Sequence, residues 1–423
     1  MQFNILERFI SSQLRSFPRI KQSLKFIYQL INYWVFRQPF TLKKLNYKTI
    51  TKITINNEES FFGYYDKSPI NSSNQFILFH SLNQTHPSYK PPSQNTPINL
   101  CCYDINNGSA FYIDTSTAYN LQQGSRLQWI NNTDCIYNVF NPTTNYYESI
   151  IYSVIEQKIL KTIPFPIYDT HQNFALSLRF ERLNAMRPEY GYPQIPMSKE
   201  ALHDLTNDGI YFIDLETGAY HCLLSLHDIA AFQPPAIPYP KDTQHKVNHI
   251  MISPDGEHVM FLHRYFINHV KHDRLILATP NGKLISLLAD HGMVSHCCWK
   301  NPTTIIAYMH HPSAGNNYYN IDIQSNSLSL INQDLGQFGD GHPSVHNHQM
   351  VFDTYPNKAR HKTLSIYNLN NTTRTPILDA FESLRYFGET RCDLHPRWSP
   401  DGSTLFMDSV HEGRRHLYSI SLH

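Results

Sequence analysis

Four histidines recur at nearly regular intervals in the second half of the chain, and together they could do metal chemistry. They are His249, His296, His342 and His395, spaced 47, 46 and 53 residues apart. Neutral imidazoles from neighbouring elements bind divalent transition metals, and an imidazole that is not a ligand can act as a general base. Duplication of a repeat could also place a histidine at each position without any chemistry. For the four together the convergence favours function; for any single one it does not.

The sequence around the histidines indicates which elements position them. Residues 395–402 read His-Pro-Arg-Trp-Ser-Pro-Asp-Gly, and residues 249–256 end in the same four letters. Ser-Pro-Asp-Gly is typical of a tight turn, because proline presets φ at the second position and glycine suits the fourth. A short strand precedes each turn and an apolar strand follows it. His296 and His342 begin similar strands with different turns, so each histidine is predicted to start the first strand of a hairpin.

The repeat length predicts the fold. A period of about 50 residues, rich in short strands, is typical of a four-stranded propeller blade. Blades are expected to start at residues 63, 124, 165, 249, 296, 342 and 395, with a long insertion in the irregular third blade. Residues 49–55 alternate Thr and Ile and are expected to close the ring by joining the last blade. The sequence therefore predicts an all-β, seven-bladed β-propeller over residues 46–423.

Residues 1–45 differ from the rest and are predicted to form an N-terminal helical segment. Residues 26–36 are the most apolar run, but the run is too short and too interrupted to span a bilayer. Lysines and arginines flank it on both sides, which is typical of an amphipathic helix at a membrane interface. A helix packed on the side or one face of the propeller is the alternative. No small-residue cleavage site follows an apolar core, which argues against a signal peptide.

Composition excludes some classes of function and favours others. The formal net charge is +1, so no global field favours nucleic-acid binding. The seven cysteines are odd in number and lack metal-binding spacings, which predicts free thiols in a reducing compartment. We expect a monomer in the cytoplasm, with attachment to the inner membrane as an option through residues 1–45.

Aligning the repeats adds candidate substrate ligands. Lys67 and Arg126 occupy positions equivalent to His395, at the start of the innermost strand and at one rim of the central channel. Cations there could hold an anionic oligosaccharide or other glycan. Three more arginines near the expected rim or in the blade-three insertion are candidates: Arg179, Arg264 and Arg397. Tyr355 follows a strand and could be a phenolic acid or simply a packed aromatic residue.

The repeats also carry a family resemblance. The Ser-Pro-Asp-Gly units resemble those of TolB-type propellers. The histidine-containing versions are similar to oligogalacturonate lyases over residues 60–423: Val247-Asn248-His249, Val294-Ser295-His296, Asp340-Gly341-His342 and Arg391-Cys-Asp-Leu-His395-Pro-Arg-Trp398. Those lyases are seven-bladed propellers that hold manganese through three histidines and a glutamine. The resemblance implies Mn²⁺ or another divalent metal on His296, His342 and His395.

The resemblance further implies β-elimination from uronate-containing oligosaccharides. His249 would be the base, and Lys67, Arg126 and Arg179 would hold carboxylates. The competing hypothesis is a non-catalytic propeller that binds a glycan or a protein in surface polysaccharide biosynthesis at the membrane. A hydrolase or transferase is a third hypothesis, but no pair of carboxylates emerges at the repeat positions. A lyase predicts bound metal and affinity for anionic sugars; a scaffold predicts partner binding without turnover.

Overall fold

The computed structural model describes residues 18–83, 85–235, 238–240, 242–267 and 270–422. Within these residues, seven antiparallel sheets follow one another along the chain, each with its strands in the order of a propeller blade. The predicted seven-bladed β-propeller with an N-terminal helix is confirmed.

The chain begins with helix α1 (Pro18–Phe36) and strands β1 (Leu42–Lys44) and β2 (Thr49–Ile53). Blade one comprises β3 (Glu59–Phe61), β4 (Phe76–Leu82), β5 (Ile98–Asp104) and β6 (Ser109–Ser116). Blade two comprises β7 (Gln128–Trp129), β8 (Asp134–Asn141), β9 (Tyr146–Ser153) and β10 (Lys158–Ile163). Blade three starts with β11 (Asp169–His171) and β12 (Phe174–Ser177), continues through helices α2 (Phe180–Met186) and α3 (Lys199–His203), and ends with β13 (Gly209–Asp214) and β14 (Tyr220–Ser225).

Helix α4 (Leu226–Ala231) leads into blade four, which comprises β15 (His245–Ile252), β16 (Val259–Ile267), β17 (Val270–Ala278) and β18 (Leu284–Gly292). Blade five comprises β19 (Val294–Asn301), β20 (Thr304–His311), β21 (Gly315–Asp322) and β22 (Ser327–Leu330). Blade six comprises β23 (Ser344–His346), β24 (Gln349–Asp353), β25 (His361–Asn368) and β26 (Thr373–Phe381). Blade seven comprises β27 (Arg397–Trp398), β28 (Thr404–Ser409) and β29 (His416–Ser421).

The ring is closed by an N-terminal strand, as the alternation in residues 49–55 predicts. Strand β2 pairs antiparallel with β29, so Thr49 lies opposite Ser421 and Ile53 lies opposite Leu417. Ile53 is buried in the same apolar cluster as Leu417 and Phe406. The last blade is therefore built from both ends of the chain.

Carboxylates at blade ends tie neighbouring blades together near the axis. Asp353, at the end of β24, accepts hydrogen bonds from the backbone N–H groups of Leu394 (3.1 Å) and His395 (3.3 Å). Asp408, in β28, does the same for Phe62 (3.0 Å) and Gly63 (3.1 Å) across the closure. Charge-assisted bonds to backbone donors are strong and directional, so they fix the inner strands that carry the candidate site.

The insertion of blade three is ordered by one buried arginine. Arg182, in α2, pairs with Asp208 and donates to the carbonyl oxygens of Leu202 (2.9 Å) and His245 (3.1 Å). These bonds hold the loop against blade four, and β13 and β14 supply the outer strands of blade three. All seven cysteines are free thiols.

Helix α1 lies beside blade six. Strand β1 adds a fifth strand to that blade by pairing with β26, and the Tyr33 ring lies 5.7 Å from the ring of Phe381. None of the described helices is long and apolar enough to cross a bilayer. Residues 1–17 of the predicted N-terminal segment lie outside the described residues.

Candidate metal and substrate site

The four repeat histidines converge at the centre of the ring. The ring centroids are separated by 5.8 Å for His249 and His296, 4.0 Å for His296 and His342, and 4.4 Å for His342 and His395. Each residue is at most 5% exposed. Residues about 50 positions apart in sequence thus form one cluster, because each occupies the same repeat position of its own blade. The prediction that each histidine starts the inner strand is not exact: His249 and His296 lie within β15 and β19, whereas His342 and His395 come just before β23 and β27.

Two of these histidines have one nitrogen engaged and the other unpaired. Nδ1 of His342 lies 2.9 Å from Oδ1 of Asp353, and Nδ1 of His395 donates to the Gly63 carbonyl oxygen at 2.9 Å. Both Nε2 atoms are buried and have no hydrogen-bond partner among the described residues. An engaged Nδ1 that leaves the Nε2 lone pair available is the usual arrangement of metal-binding histidines.

A carboxylate completes a donor set suited to a metal. The ligand atoms of His342, Asp393 and His395 all lie within 4.8 Å of one another, and all three residues are buried. Burial, together with the charge of His342, lowers the pKa of His395 well below its ordinary value. Burial raises the pKa of Asp393, but the charges of Arg391 and Lys362 outweigh it and hold that pKa well below its ordinary value. Imidazole and carboxylate donors of this kind fit a divalent transition metal.

His296 is oriented in the same manner. Its Nδ1 lies 2.8 Å from Oδ1 of Asp340, and its ring packs against that of His342. Burial lowers the pKa of His296 despite the neighbouring carboxylate, so its imidazole is neutral at physiological pH. It is available as a further ligand beside the other two.

His249 forms a different pair. Its Nε2 lies 2.8 Å from the hydroxyl oxygen of Tyr64. Burial, reinforced by the charge of Arg264, lowers the pKa of His249 well below its ordinary value, while burial raises the pKa of Tyr64 well above its own. A neutral imidazole and a protonated phenol therefore share a hydrogen bond, which places a base and an acid side by side.

Tyr64 and Tyr65 pack over the cluster from the loop that follows β3. The Tyr64 ring lies 5.0 Å from that of His395, and the Tyr65 ring lies 5.3 Å from that of His342. Neither tyrosine was predicted from the sequence. They could have been predicted from their position just before Lys67, in a blade that has no histidine at the repeat position.

The backbone at the repeat position is strained in three blades. Arg126, His249 and His395 have φ of 55°, 53° and 44°. A left-handed conformation at a residue other than glycine costs about 1–3 kcal/mol and persists mainly at functional sites. At His249 it coincides with a break in the register between β15 and β16. The recurrence of strain at one repeat position favours a role for the residues placed there.

The predicted substrate cations are all engaged with acidic side chains. The pairs are Lys67 with Asp169, Arg126 with Asp66 (2.7 Å), Arg179 with Glu181 (3.5 Å), Arg264 with Asp273 (2.8 Å) and Arg397 with Asp408 (3.1 Å). Only Arg179 is substantially exposed, at 42% of its side chain. Three of the five, Arg126, Arg264 and Arg397, are thus buried in ion pairs near the inner strands, and Lys67 is partly exposed. The role of all five as substrate ligands stays a prediction.

Besides Arg264, a predicted substrate ligand, further cations surround His249. Lys246 is buried three residues before it, and among the described residues it has no carboxylate within ion-pair distance. Burial and the charges of Arg264, Arg187 and Lys271 lower the pKa of Lys246 well below its ordinary value. This excess of positive charge can attract and hold a carboxylate. Lys246 could have been found from its position in the repeat strand, three residues before the histidine.

A cavity of about 730 Å³ adjoins the cluster. Tyr355, Arg391 and Asp393 line it on the side of the histidines, and helix α1 lines the opposite side. The Tyr355 ring lies 6.1 Å from that of His342, and burial raises the pKa of Tyr355 well above its ordinary value. Arg391 also donates to the hydroxyl of Tyr190, at 3.0 Å, so the blade-three insertion contributes to this wall.

Comparison with known proteins agrees with the fold. No protein family and no curated protein matches the sequence. The chain is similar to an oligogalacturonate lyase solved in complex with manganese, with 15% identity, 91% of this chain and 97% of that chain covered, and a TM-score of 0.60. It is also similar to the oligogalacturonate lyase of Vibrio parahaemolyticus, with 12% identity, 90% and 97% covered, and a TM-score of 0.57. The predicted resemblance is confirmed at the level of the fold.

Proposed function

We propose that this protein is a metal-dependent lyase that cleaves uronate-containing oligosaccharides by β-elimination at the histidine cluster. The observation that carries the proposal is the pair of buried, unpartnered Nε2 atoms of His342 and His395 beside the Asp393 carboxylate. A buried polar atom without a partner costs about 1–3 kcal/mol, and a bound cation would satisfy both at once. The fold shared with a lyase that was solved with manganese supports the choice of metal and reaction.

The residues that would hold the metal are His342, His395 and Asp393, with His296 beside them. Mixed imidazole and carboxylate ligands suit Mn²⁺. When bound, a divalent cation stabilises the negative charge that develops on the uronate carboxylate as its α-proton becomes acidic. Arg187, Lys246 and Arg264 provide the positive surroundings in which that carboxylate would be held.

The proton transfers belong to His249 and Tyr64. The neutral imidazole takes the α-proton, and the electron pair of that C–H bond forms the new carbon–carbon double bond. The bond to the neighbouring sugar oxygen breaks, and this oxygen takes a proton, for which the protonated Tyr64 hydroxyl is the adjacent donor. A base and an acid that share a hydrogen bond satisfy both requirements of the step.

Elemental analysis tests the proposal. We expect about one divalent ion per chain in the wild type and none in a variant with His296, His342 and His395 all replaced by alanine. His227→Ala is the matched control, because His227 is exposed on helix α4. Wild-type protein that takes up no metal even after reloading would refute the proposal. If metal is present, uronate oligosaccharides are then screened for unsaturated products.

A second candidate is a propeller that binds an anionic glycan without turnover. The near-complete burial of the histidines under Tyr64 and Tyr65 favours it, because a catalytic base needs access to substrate. This candidate predicts saturable glycan binding with no unsaturated product. It also predicts that His249→Ala leaves the affinity for the glycan unchanged.

A further inference from the structure

Helix α1 presents an apolar face to solvent. Leu24, Ile27, Ile31, Trp34 and Val35 are each 47–68% exposed, and spacings of three and four residues place them on one side of the helix. A contiguous exposed apolar surface of this kind marks an interaction site.

The opposite face of the helix holds it on the propeller. Asn32 is buried, Tyr33 packs against Phe381, and the ammonium group of Lys358 lies 5.3 Å from the ring centre of Phe36. The apolar face is therefore directed away from the protein by the contacts of the other face. It is available to a partner without any unfolding of the helix.

Charge identifies the chemistry of that partner. The first 48 residues contain nine lysines and arginines and one acidic residue, whereas the remaining 375 contain 26 basic and 33 acidic residues. Several of the cations around α1 are exposed: Lys25, Arg37, Lys43, Lys44 and Lys48. Basic residues beside an apolar helix face complement an anionic lipid surface, which attracts them electrostatically.

The apolar face continues into the cavity. Phe26 and Ile27 of α1 line the cavity and are exposed. Phe387, from the segment between blades six and seven, also lines the cavity and is 60% exposed. Asp393 and Arg360 line the same cavity and are buried. The cavity thus has an apolar outer edge, built from two separate segments, and a charged inner wall beside the histidines.

We propose that α1 and Phe387 seat the protein on an anionic lipid bilayer, and that the cavity receives an anionic glycan whose lipid anchor stays in that bilayer. The apolar edge would accept the anchored end, and the charged wall would accept the saccharide. The anionic glycan in this proposal rests on the proposed function, whereas the docking to lipid does not.

Vesicle flotation of the full chain tests the docking. Wild-type protein is expected to float with phosphatidylcholine vesicles that contain about one third phosphatidylglycerol, and less with phosphatidylcholine alone. Ile31→Glu combined with Trp34→Glu should lower the bound fraction about tenfold or more. The matched control is Ile155→Glu, since Ile155 is also 60% exposed but lies on blade two. Phe387→Glu should lower binding without touching the helix.

The second arm tests the substrate class. Vesicles that carry a lipid-linked glucuronate oligosaccharide are compared with the same oligosaccharide free in solution, by the amount of unsaturated product. We expect faster cleavage on vesicles, and the Ile31→Glu, Trp34→Glu variant should lose this advantage while it cleaves the free sugar at the wild-type rate.

Each outcome decides one part. Wild-type protein that does not float, or a variant that floats as well as the wild type, overturns the docking. A wild type that is dimeric by light scattering and a variant that is monomeric, with neither on vesicles, overturns it in favour of a second copy of this chain. Flotation without bound metal leaves the docking in place and refutes the proposed lyase. Bound metal without flotation leaves the proposed lyase in place and refutes the docking. Equal cleavage of free and lipid-linked sugar refutes the substrate class.

Discussion

At the scale of single residues, Asp353 positions two of the site histidines through hydrogen bonds. Its Oδ1 lies 2.9 Å from Nδ1 of His342 and accepts the backbone N–H of that residue at 2.8 Å. Its Oδ2 accepts the N–H of His395. In Asp353→Asn, an NH₂ group that can only donate replaces one of the two carboxylate oxygens, and the negative charge is removed, so His342 is held less firmly. We expect the affinity for Mn²⁺ to fall about 10- to 100-fold, measured by competition with a chelating dye.

Asp322→Asn is the control for this prediction. Asp322 caps an exposed turn of blade five by accepting from Ser325, so its loss should leave metal affinity unchanged. Near-wild-type circular dichroism of both variants separates a local effect from unfolding. An unchanged affinity in Asp353→Asn would show that His342 needs no outer carboxylate.

Another single residue, His80, makes stability depend on pH. It is fully buried, its Nε2 accepts the backbone N–H of Ser125 at 3.1 Å, and burial lowers its pKa to about 4. The unfolded chain takes up this proton first as the pH falls below the ordinary value of 6.5, so stability is lost between about pH 6.5 and 4. We expect a loss of about 3 kcal/mol from this residue, and urea unfolding across that pH range would measure it.

The variant that checks this is His80→Gln, because a glutamine oxygen can accept the same bond and does not titrate. Its stability should fall less steeply than that of the wild type from pH 6.5 to 4. His227→Gln removes an exposed histidine and should leave the slope unchanged. Identical slopes for wild type and His80→Gln would contradict the assignment.

At the scale of elements, the turn at Gly124 is built around the same histidine. Gly124 has φ of 60°, and a Cβ there would lie 2.1 Å from the His80 ring. Gly108 has a similar φ of 63°, but a Cβ there would meet nothing within 4 Å. Gly108→Ala therefore measures the backbone cost alone, about 1 kcal/mol, and Gly124→Ala should cost about 2 kcal/mol more. Thermal unfolding of the two variants side by side gives the difference.

The comparison is informative because the two glycines share a conformation and differ in surroundings. His80 cannot move aside easily, since its ring stacks on Phe61 at 5.0 Å and is fully buried. Equal destabilisation of the two variants would mean that the turn can shift away from the ring.

The sequence predicted the elements that carry the repeated motif, but not the site residues that occur in one blade only. The turns and apolar strands around His249 and His395 carry the blade period, which predicted seven blades. The Thr/Ile alternation of residues 49–55 predicted the closing strand. The same register placed the four histidines together. Asp393 and Lys246 were not singled out, because each stands beside a repeat position and its role depends on which neighbours the ring brings to it. Tyr64 escaped notice for the same reason.

The sequence also could not show which cations lack an acidic partner. Lys67 and Arg126 occupy the expected positions, but each meets an acidic partner from another part of the chain, Asp169 and Asp66. Asp66 is adjacent to Lys67 in sequence yet pairs with Arg126, 60 residues away. Pairing across blades depends on three-dimensional register, which a list of charges along one strand does not contain.

At the scale of the whole molecule, the site and the closure of the ring depend on each other. His342 and Asp353 belong to blade six, whereas His395 and Asp393 lead into blade seven. Nδ1 of His395 donates to Gly63, whose N–H is in turn held by Asp408. The candidate ligands therefore lie where blades six and seven meet, beside the closure with blade one. An ion bound there would add a further link between segments that already meet through strand pairing, carboxylates and apolar packing.

Metal binding should for this reason stabilise the entire ring. A ligand that binds only the folded chain at 100 times its Kd adds about 2.7 kcal/mol, which for a protein of this size raises Tm by about 3 °C. We expect Mn²⁺ to raise the Tm of the wild type by about this amount and EDTA to reverse the shift, measured by calorimetry. The variant with His296, His342 and His395 replaced by alanine should show no response, whereas His227→Ala should respond like the wild type. A metal-induced shift that persists in the triple variant would mean that the stabilising ion binds elsewhere on the propeller.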